Sequence, residues 1–248
     1  VLIEKFTGHK CSNCPEASRE IDFLKELYGE QIISVAIHPG NLTEFTETDN
    51  NYTYDFTTED GSIISEDMGA SFLPLGTVNR INGGISNRCF TKDEWSTQIE
   101  NLLYDNDGKP LPKKVEIDIT TSFNELQKEL AIIVNTNFIE MENTYKLSVI
   151  IIEDSIIAPQ SDGAEYVANY EHNHIYRCAV NGIYGESINT KTGSLEWSNN
   201  YMMLFNTDHN SNWTDSWNNV NHCYVIAYIY NAETLVIEHA KKHRIINE

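Results

Sequence analysis

The sequence predicts an α/β domain followed by an all-β sandwich. Strand and helix signals alternate through residues 1–107, whereas residues 115–240 contain only strand signals, separated by Asn, Asp, Gly and Ser turns. Two prolines in the segment 108–114 (GKPLPKK) favour an extended connector without helix. We therefore expect a first domain over residues 1–109 and a second over residues 113–248.

The first half shows seven elements in the order β-α-β-α-β-β-α. Apolar residues at three-to-four spacing predict the first helix, and Gly29 favours its end. The capping box Thr91-Lys-Asp-Glu94 predicts the start of the last helix. The earlier elements are predicted at 1–6, 12–28, 32–38, 62–72, 75–81 and 85–90. This order is that of the thioredoxin fold.

The second half is rich in Val, Ile, Tyr and Phe within short segments. Seven strands are predicted, at 115–121, 129–138, 144–153, 174–180, 200–206, 222–230 and 234–240. Antiparallel strands of this number and length are typical of an immunoglobulin-like β-sandwich, although the Cys-Trp-Cys spacing of true immunoglobulin domains is absent.

Composition excludes several function classes. The net charge of −20 at pH 7 disfavours nucleic acid and anionic lipid surfaces, because both would repel the chain. No apolar run approaches the roughly 20 residues of a membrane-spanning helix. Since the sequence opens on Val1 inside a predicted strand, any signal peptide or lipid anchor is expected upstream, and contact with a membrane only through such an anchor.

The most specific chemical signal is Cys11-Ser-Asn-Cys14-Pro15, between the first strand and the first helix. The free N–H groups and the dipole of a helix start favour a thiolate at Cys11, which makes it the candidate nucleophile, with Cys14 as the resolving thiol. Two alternatives stay open. The pair could be a purely structural disulfide, or it could supply two ligands of a zinc site to which His9 and His38 could contribute, although no second CxxC or HxxxH lies nearby. We expect no metal.

Phe72-Leu73-Pro74-Leu75 lies at the start of a predicted strand, after a short helix. Together with the cysteine pair it resembles the thioredoxin superfamily, in which a cis-proline at this place sits against the cysteines. The resemblance implies that Leu73 and Pro74 hold an extended substrate chain. Leu73 departs from the Thr, Ile or Val usual there.

The first predicted strand also resembles the thioredoxin strand that carries a buried acid below the cysteines. Glu4 falls at the place of that acid, one residue farther from Cys11 than usual. In this interpretation Glu4 relays the proton of Cys14, with its pKa raised by burial. The alternative is a carboxylate that faces water at the strand edge.

Residues 39–67 form an acidic insertion with eight acidic residues and neither Lys nor Arg. A solvated surface excursion is the favoured interpretation, and a lid over Cys11, a calcium loop and a partner surface are the alternatives. His172 and His174 have the spacing of a metal-binding pair on one strand face, but satisfied histidines are favoured because no carboxylate or Cys accompanies them at defined spacing.

Three segments resemble the outer-membrane protein family of about 28 kDa from Bacteroides-type bacteria: residues 2–17 (LIEKFTGHKCSNCPEA), 170–177 (YEHNHIYR) and 181–185 (NGIYG). The resemblance covers both halves. It implies an exported, lipid-anchored protein of the outer membrane or periplasm of a Gram-negative bacterium, with a thioredoxin-like domain before a β-sandwich.

The predicted function is thiol–disulfide exchange in the cell envelope, with a protein or peptide disulfide as substrate and no organic cofactor. The alternative is a non-catalytic binding or adhesion protein with a cell-surface partner, in which Cys11 and Cys14 form a structural disulfide. Burial of Cys11 discriminates the two, since an exchange enzyme needs an accessible nucleophile.

Overall fold

The computed structural model describes residues 1–139, 144–189, 195–204 and 219–246. These residues form a mixed α/β structure in which strands dominate, and the predicted class is confirmed at this level. Within the described ranges no helix is long and apolar enough to cross a bilayer.

The first half contains the seven predicted elements in the predicted order, together with a short helix and a two-residue strand in the acidic insertion that were not predicted. They are β1 (Leu2–Phe6), α1 (Cys14–Tyr28), β2 (Ile33–Pro39), α2 (Thr43–Thr46), β3 (Thr57–Thr58), α3 (Glu59–Met68), β4 (Leu75–Val78), β5 (Cys89–Phe90) and α4 (Lys92–Leu103). A 3-10 turn over Gly29–Gln31 follows α1. The predicted capping box of α4 is present, with Thr91 and Glu94 bonded reciprocally.

Three predicted elements of this half have different bounds in the structure. The strand predicted over 85–90 is only the two-residue β5, Cys89–Phe90. The helix predicted over 62–72 spans Glu59–Met68, because Gly69 adopts the left-handed conformation (φ 82°) that ends a helix. The strand predicted over 75–81 ends at Val78, since Asn79 and Arg80 have positive φ angles of 45° and 53°.

The second half is nearly all strand, as predicted. Its strands are β6 (Val115–Asn124), β7 (Glu129–Phe138), β8 (Tyr145–Glu153), β9 (Ile156–Asp162), β10 (Glu165–His172), β11 (Ile175–Ala179), β12 (Glu186–Ser187), β13 (Glu196–Leu204), β14 (Cys223–Asn231) and β15 (Ile237–Arg244). The prediction missed the β9–β10 hairpin and the short β12.

One large sheet runs through both halves, with strand order β15-β14-β8-β11-β2-β1-β4-β5. Within it β1 is parallel to β2 and antiparallel to β4, and β5 is antiparallel to β4. The second half joins where β11 pairs in parallel with β2, at Ile175 and Ala36. Hydrogen bonds therefore cross the predicted domain boundary, and the division into two domains stays a prediction.

A three-stranded sheet, ordered β13-β7-β6, packs on one face of this large sheet. Alternate side chains of β6 and β7 point inward, and they meet the apolar face of β8 and β14 in a common core. The opposite face of β8 and β14 belongs to another core, which also contains Phe6, Cys11 and Cys14. The second half thus supplies part of the surroundings of the cysteine pair.

Helices α1 and α4 pack on one face of the first-half strands, around Ile3, Ile21 and Trp95. The ring of Trp95 lies so close to β4 that a Cβ on Gly76 would stand 2.7 Å from it. This close approach requires glycine. The contact between Trp95 and Gly76 packs α4 closely against the sheet. The N-terminus of α1 follows the turn after β1.

Candidate functional site

Cys11 and Cys14 form a disulfide at the start of α1. Cys11 lies in the turn after β1, and the Cys14 N–H donates to the Cys11 carbonyl at 3.2 Å. Pro15 occupies the first helical turn, where its missing N–H leaves no bond unmade. The predicted helix-start position of the pair is therefore present, but only 2% of each cysteine is exposed.

The β9–β10 hairpin covers the turn that carries the disulfide. Gln160 is buried, and its side-chain amide donates to the carbonyls of Gly8 and Cys11, each at 3.2 Å. Two backbone bonds of 2.8 Å fix the hairpin on the same turn. The Ser161 N–H donates to the His9 carbonyl, and the Gly163 N–H donates to the Ser12 carbonyl.

Side-chain hydrogen bonds join the β9–β10 hairpin to the elements on either side of it. The Arg19 guanidinium of α1 forms two bonds with the Asp162 carboxylate, at 2.9 and 3.2 Å. On the other side, the Tyr52 and Ser161 hydroxyls lie 2.6 Å apart, and the Tyr166 hydroxyl donates to the Asn51 carbonyl at 2.9 Å. The hairpin therefore bridges α1 and the acidic insertion.

The acidic insertion contacts the cysteine turn directly. The Lys10 N–H donates to the Phe45 carbonyl at 3.0 Å, and the Lys10 ammonium pairs with Asp49 at 2.8 Å. The His9 ring stacks on Tyr52 with 5.2 Å between centroids. Part of this insertion thus packs around the residues before Cys11, and the favoured interpretation as a solvated excursion is wrong for that part.

Leu73 and Pro74 are joined by a cis peptide bond just before β4. The Leu73 side chain is buried in the same core as Cys11, Cys14 and Tyr176 of β11. The structure therefore places Leu73 in the core that contains the cysteines, and strands of the second half contribute to the same core. The substrate-holding role of Leu73 and Pro74 stays a prediction.

Glu4 is buried on β1, so it does not face water. One carboxylate oxygen accepts hydrogen bonds from Thr77 at 2.8 Å and from the Arg80 side chain at 2.8 Å, and the other oxygen pairs with the same guanidinium. Arg80 is itself buried and also donates to the Tyr228 hydroxyl at 3.0 Å. The Glu4 carboxylate is thus already paired with Arg80. Relay of the Cys14 proton by Glu4 stays a prediction.

The two histidines of the predicted pair have different surroundings. His172 is buried at the end of β10, and burial lowers the pKa of His172 to about 3. His174 follows in a positive-φ turn, with its ring between the Asp154 carboxylate at 2.8 Å and the Lys25 ammonium at 2.5 Å. No cluster of three or more His, Cys, Asp or Glu side chains suited to a metal occurs in the described ranges.

Sequence reasoning missed Gln160, because the strand that carries it was not predicted. It also missed Arg80, whose partner Glu4 is 76 residues away along the chain. An arginine inside the strand predicted over 75–81 was a signal, but the sequence does not indicate which acid it pairs with.

The model of the family described as outer membrane protein Omp28 matches residues 62–247. No curated protein sequence matches the chain. Among solved structures, HBP35 of Porphyromonas gingivalis superposes with a TM-score of 0.71 at 12% identity, covering 98% of this chain and 74% of that one.

Two further structures are similar. A protein from Agrobacterium tumefaciens has a TM-score of 0.54 at 11% identity, covering 100% of this chain and 95% of its own. A domain of the outer membrane lipoprotein Omp28 from Porphyromonas gingivalis has a TM-score of 0.38 at 18% identity, covering 55% of this chain and 93% of its own. At 12% and 11% identity, the HBP35 and Agrobacterium tumefaciens structures indicate a shared fold alone.

Proposed function

The chain belongs to the Omp28 outer membrane protein family, and from this premise we propose that it is a binding protein whose Cys11–Cys14 bond is a structural disulfide. Family membership confirms the resemblance seen in the sequence. It also confirms the predicted location, the outer membrane or periplasm of a Gram-negative bacterium. Attachment through a lipid anchor upstream of Val1 is part of the proposal, as is a cell-surface partner.

The cover over the disulfide is the observation that carries this proposal. Thiol–disulfide exchange requires in-line approach of a thiolate to a sulfur atom, and the rate depends on access. Both cysteines are 2% exposed. The hydrogen bonds from Gln160, Ser161 and Gly163 hold the hairpin against the turn that contains Cys11. An attacking thiolate would have to approach Cys11 past this hairpin.

We interpret the first half as a thioredoxin-like scaffold. The strand order β2-β1-β4-β5 and the positions of α1, α3 and α4 along the chain support this interpretation. We likewise interpret the sheet β13-β7-β6, packed on β8 and β14, as an immunoglobulin-like sandwich. Because unrelated functions share these folds, the site and not the fold decides between catalysis and binding.

Thiol–disulfide exchange is the second candidate, and one observation favours it. Cys11 lies in the turn that leads into α1, three residues before its first residue Cys14, and a thiolate is stabilised near a helix N-terminus. Leu73 lies in the same core as both cysteines. In this candidate Cys11 attacks, Cys14 resolves the mixed disulfide, and Leu73 and Pro74 hold the substrate. The β9–β10 hairpin would have to leave the turn before each reaction.

An exchange assay tests the proposal. The purified chain is added to a protein disulfide substrate in a thiol buffer, and the rate of substrate reduction is measured beside a Cys11→Ser, Cys14→Ser double variant. We expect the same rate with both proteins, because the covered disulfide does not take part. A rate at least tenfold higher with the unsubstituted chain would establish exchange and refute the structural role.

A further inference from the structure

Asp154, His174 and Lys25 form a hydrogen-bonded array beside the first helix. Lys25 lies on α1, Asp154 directly follows β8, and His174 lies in the turn between β10 and β11. The Lys25 Nζ atom is 2.5 Å from Nε2 of His174, and Nδ1 of the same ring is 2.8 Å from one Asp154 oxygen. The array therefore joins α1 to the second half of the chain.

The chemistry of the three groups fixes the direction of both contacts. An ionised carboxylate only accepts hydrogen bonds, so the proton of the His174 ring is on Nδ1, facing Asp154. The pKa of His174 is lowered, chiefly by burial, so the ring is neutral at neutral pH. Nε2 of a neutral ring with Nδ1 protonated is an acceptor, and Lys25 donates to it. His174 is therefore placed as a base next to the Lys25 nitrogen.

The backbone of His174 is held in an uncommon conformation. Its φ of 63° lies in the left-handed region, which residues other than glycine seldom adopt. The His174 N–H donates at 2.7 Å to the same Asp154 oxygen that faces the ring. Such conformations persist where the surroundings enforce them, and they concentrate at functional sites. Asp154 thus positions both the backbone and the ring of His174.

Lys25 is partly buried and has a readily available free amine. Burial lowers the pKa of Lys25 to about 8, and the nearby ammonium of Lys242 adds to the shift, while Asp154 and Asp22 oppose it. The Lys5 ammonium on β1 is a further neighbour of like charge. At pH 8 about half of Lys25 is the amine, roughly 100 times the fraction expected for a lysine with the ordinary value of 10.5.

A cavity of about 60 Å³ borders the array. His174 and Asn173 line it, as does Asp22, which precedes Lys25 by three residues on α1. Since a water-sized probe occupies about 10–15 Å³, the cavity has room for about four such spheres. This space suits an electrophile of three or four non-hydrogen atoms beside the amine.

We propose that Lys25 reacts reversibly with carbon dioxide to form a carbamate, with His174 as the base. The lone pair of the amine forms a bond to the carbon atom, and the electrons of one C=O π bond move to its oxygen. The N–H proton passes to Nε2 of His174, which gives an imidazolium beside Asp154 and later releases the proton to water. The reaction needs no oxidant or reductant and no group of the disulfide, so it is independent of the function proposed above.

Trapping of the carbamate tests the proposal. The folded chain is equilibrated with ¹³C-labelled carbon dioxide and bicarbonate at pH 8 and ethylated with triethyloxonium, and the labelled lysines are located by peptide mass spectrometry. We expect at least tenfold more label on Lys25 than on the average lysine. In guanidinium chloride this preference should be lost, because the contact with His174 exists only in the folded chain.

Lys5 is an internal control that separates the basicity of an amine from its surroundings. Burial lowers the pKa of Lys5 to about 8 as well, but its ammonium donates to the Ser18 hydroxyl at 2.5 Å and the residue is only 7% exposed. We therefore expect at least tenfold less label on Lys5 than on Lys25. Equal labelling of the two lysines would overturn the part given to His174.

Variants complete the test. In Lys25→Met the carbamate signal in the ¹³C NMR spectrum should disappear, whereas Lys109→Met, which removes an exposed lysine, should leave it unchanged. His174→Gln keeps an acceptor for Lys25 but removes the base, and we expect carbamate to form at least threefold more slowly at pH 8. An unchanged rate in this variant would overturn the part given to His174.

The site of labelling in the unsubstituted chain decides the matter even if Lys25→Met does not fold. Label spread evenly over the lysines of the folded chain, or a carbamate signal that survives in folded Lys25→Met, would overturn the proposal.

Discussion

Replacing Gln160 by alanine tests the hairpin that covers the disulfide. The Gln160 amide nitrogen lies 3.2 Å from the carbonyl oxygens of Gly8 and Cys11 and 2.9 Å from that of Ser161, and Gln160→Ala removes all three bonds. Only the first two join the hairpin to the cysteine turn. Each of these two carbonyls keeps a second donor, the Cys11 N–H at 3.1 Å and the Cys14 N–H at 3.2 Å. The free energy that holds the hairpin on the turn therefore falls by the net value of these two bonds, about 1 kcal/mol each, or about 2 kcal/mol in total.

The same energy sets the expected change in reactivity. If reduction of the disulfide requires the hairpin to open, a cover weakened by about 2 kcal/mol opens roughly 30 times more often. The assay follows loss of the Cys11–Cys14 bond in dithiothreitol under native conditions, with alkylation and mass spectrometry. Urea unfolding of the same sample measures the free energy of unfolding.

Gln127→Ala is the matched control, because Gln127 is exposed in the turn between β6 and β7 and far along the chain from the cysteines. We expect it to change the stability by less than about 0.5 kcal/mol and to leave the reduction rate unaltered. A Gln160→Ala protein that is reduced no more than threefold faster than the unsubstituted chain would refute the reasoning that the hairpin limits access.

Three further predictions concern the buried groups around the site. Glu4→Gln leaves the buried Arg80 without its counter-charge, and we expect urea unfolding to show a loss of about 3–5 kcal/mol; a loss below 1 kcal/mol would contradict the pairing. His172 has a lowered pKa, so the unfolded chain binds the extra proton, and stability falls by up to about 1.4 kcal/mol per pH unit as pH drops from 6.5 to about 3. Urea unfolding against pH should show a shallower fall in His172→Gln. Reducing the bond between Cys11 and Cys14 opens a loop of four residues, for which we expect a loss of only about 2 kcal/mol in urea unfolding with reductant; a loss above about 5 kcal/mol would show that the bond supports more than its own turn.

Local signals predicted much of the first half. The spacing of Ile21 and Leu24 predicted α1, the Thr91 capping box predicted α4, and the cysteine pair was placed correctly at a helix start. These features depend on neighbours within a few residues, so one sequence is enough to recognise them.

The β9–β10 hairpin could not be predicted in the same way. Pro159 lies inside β9, where a proline argues against a strand, and most side chains of β10 are exposed and show no apolar alternation. The hairpin is held by Gln160 and Asp162 through contacts about 150 residues away along the chain. Such contacts follow from the tertiary arrangement, which is why the sequence indicated a reactive pair and the structure shows a covered one.

The rate of reduction of the native disulfide tests the central claim most directly. The chain is treated with dithiothreitol at one pH, once folded and once unfolded in urea, and loss of the Cys11–Cys14 bond is timed in both. Because access limits exchange, we expect the folded chain to be reduced at least about 100-fold more slowly than the unfolded one. A folded chain reduced as fast as the unfolded one, or faster, would contradict the structural role and identify Cys11 as an accessible redox centre.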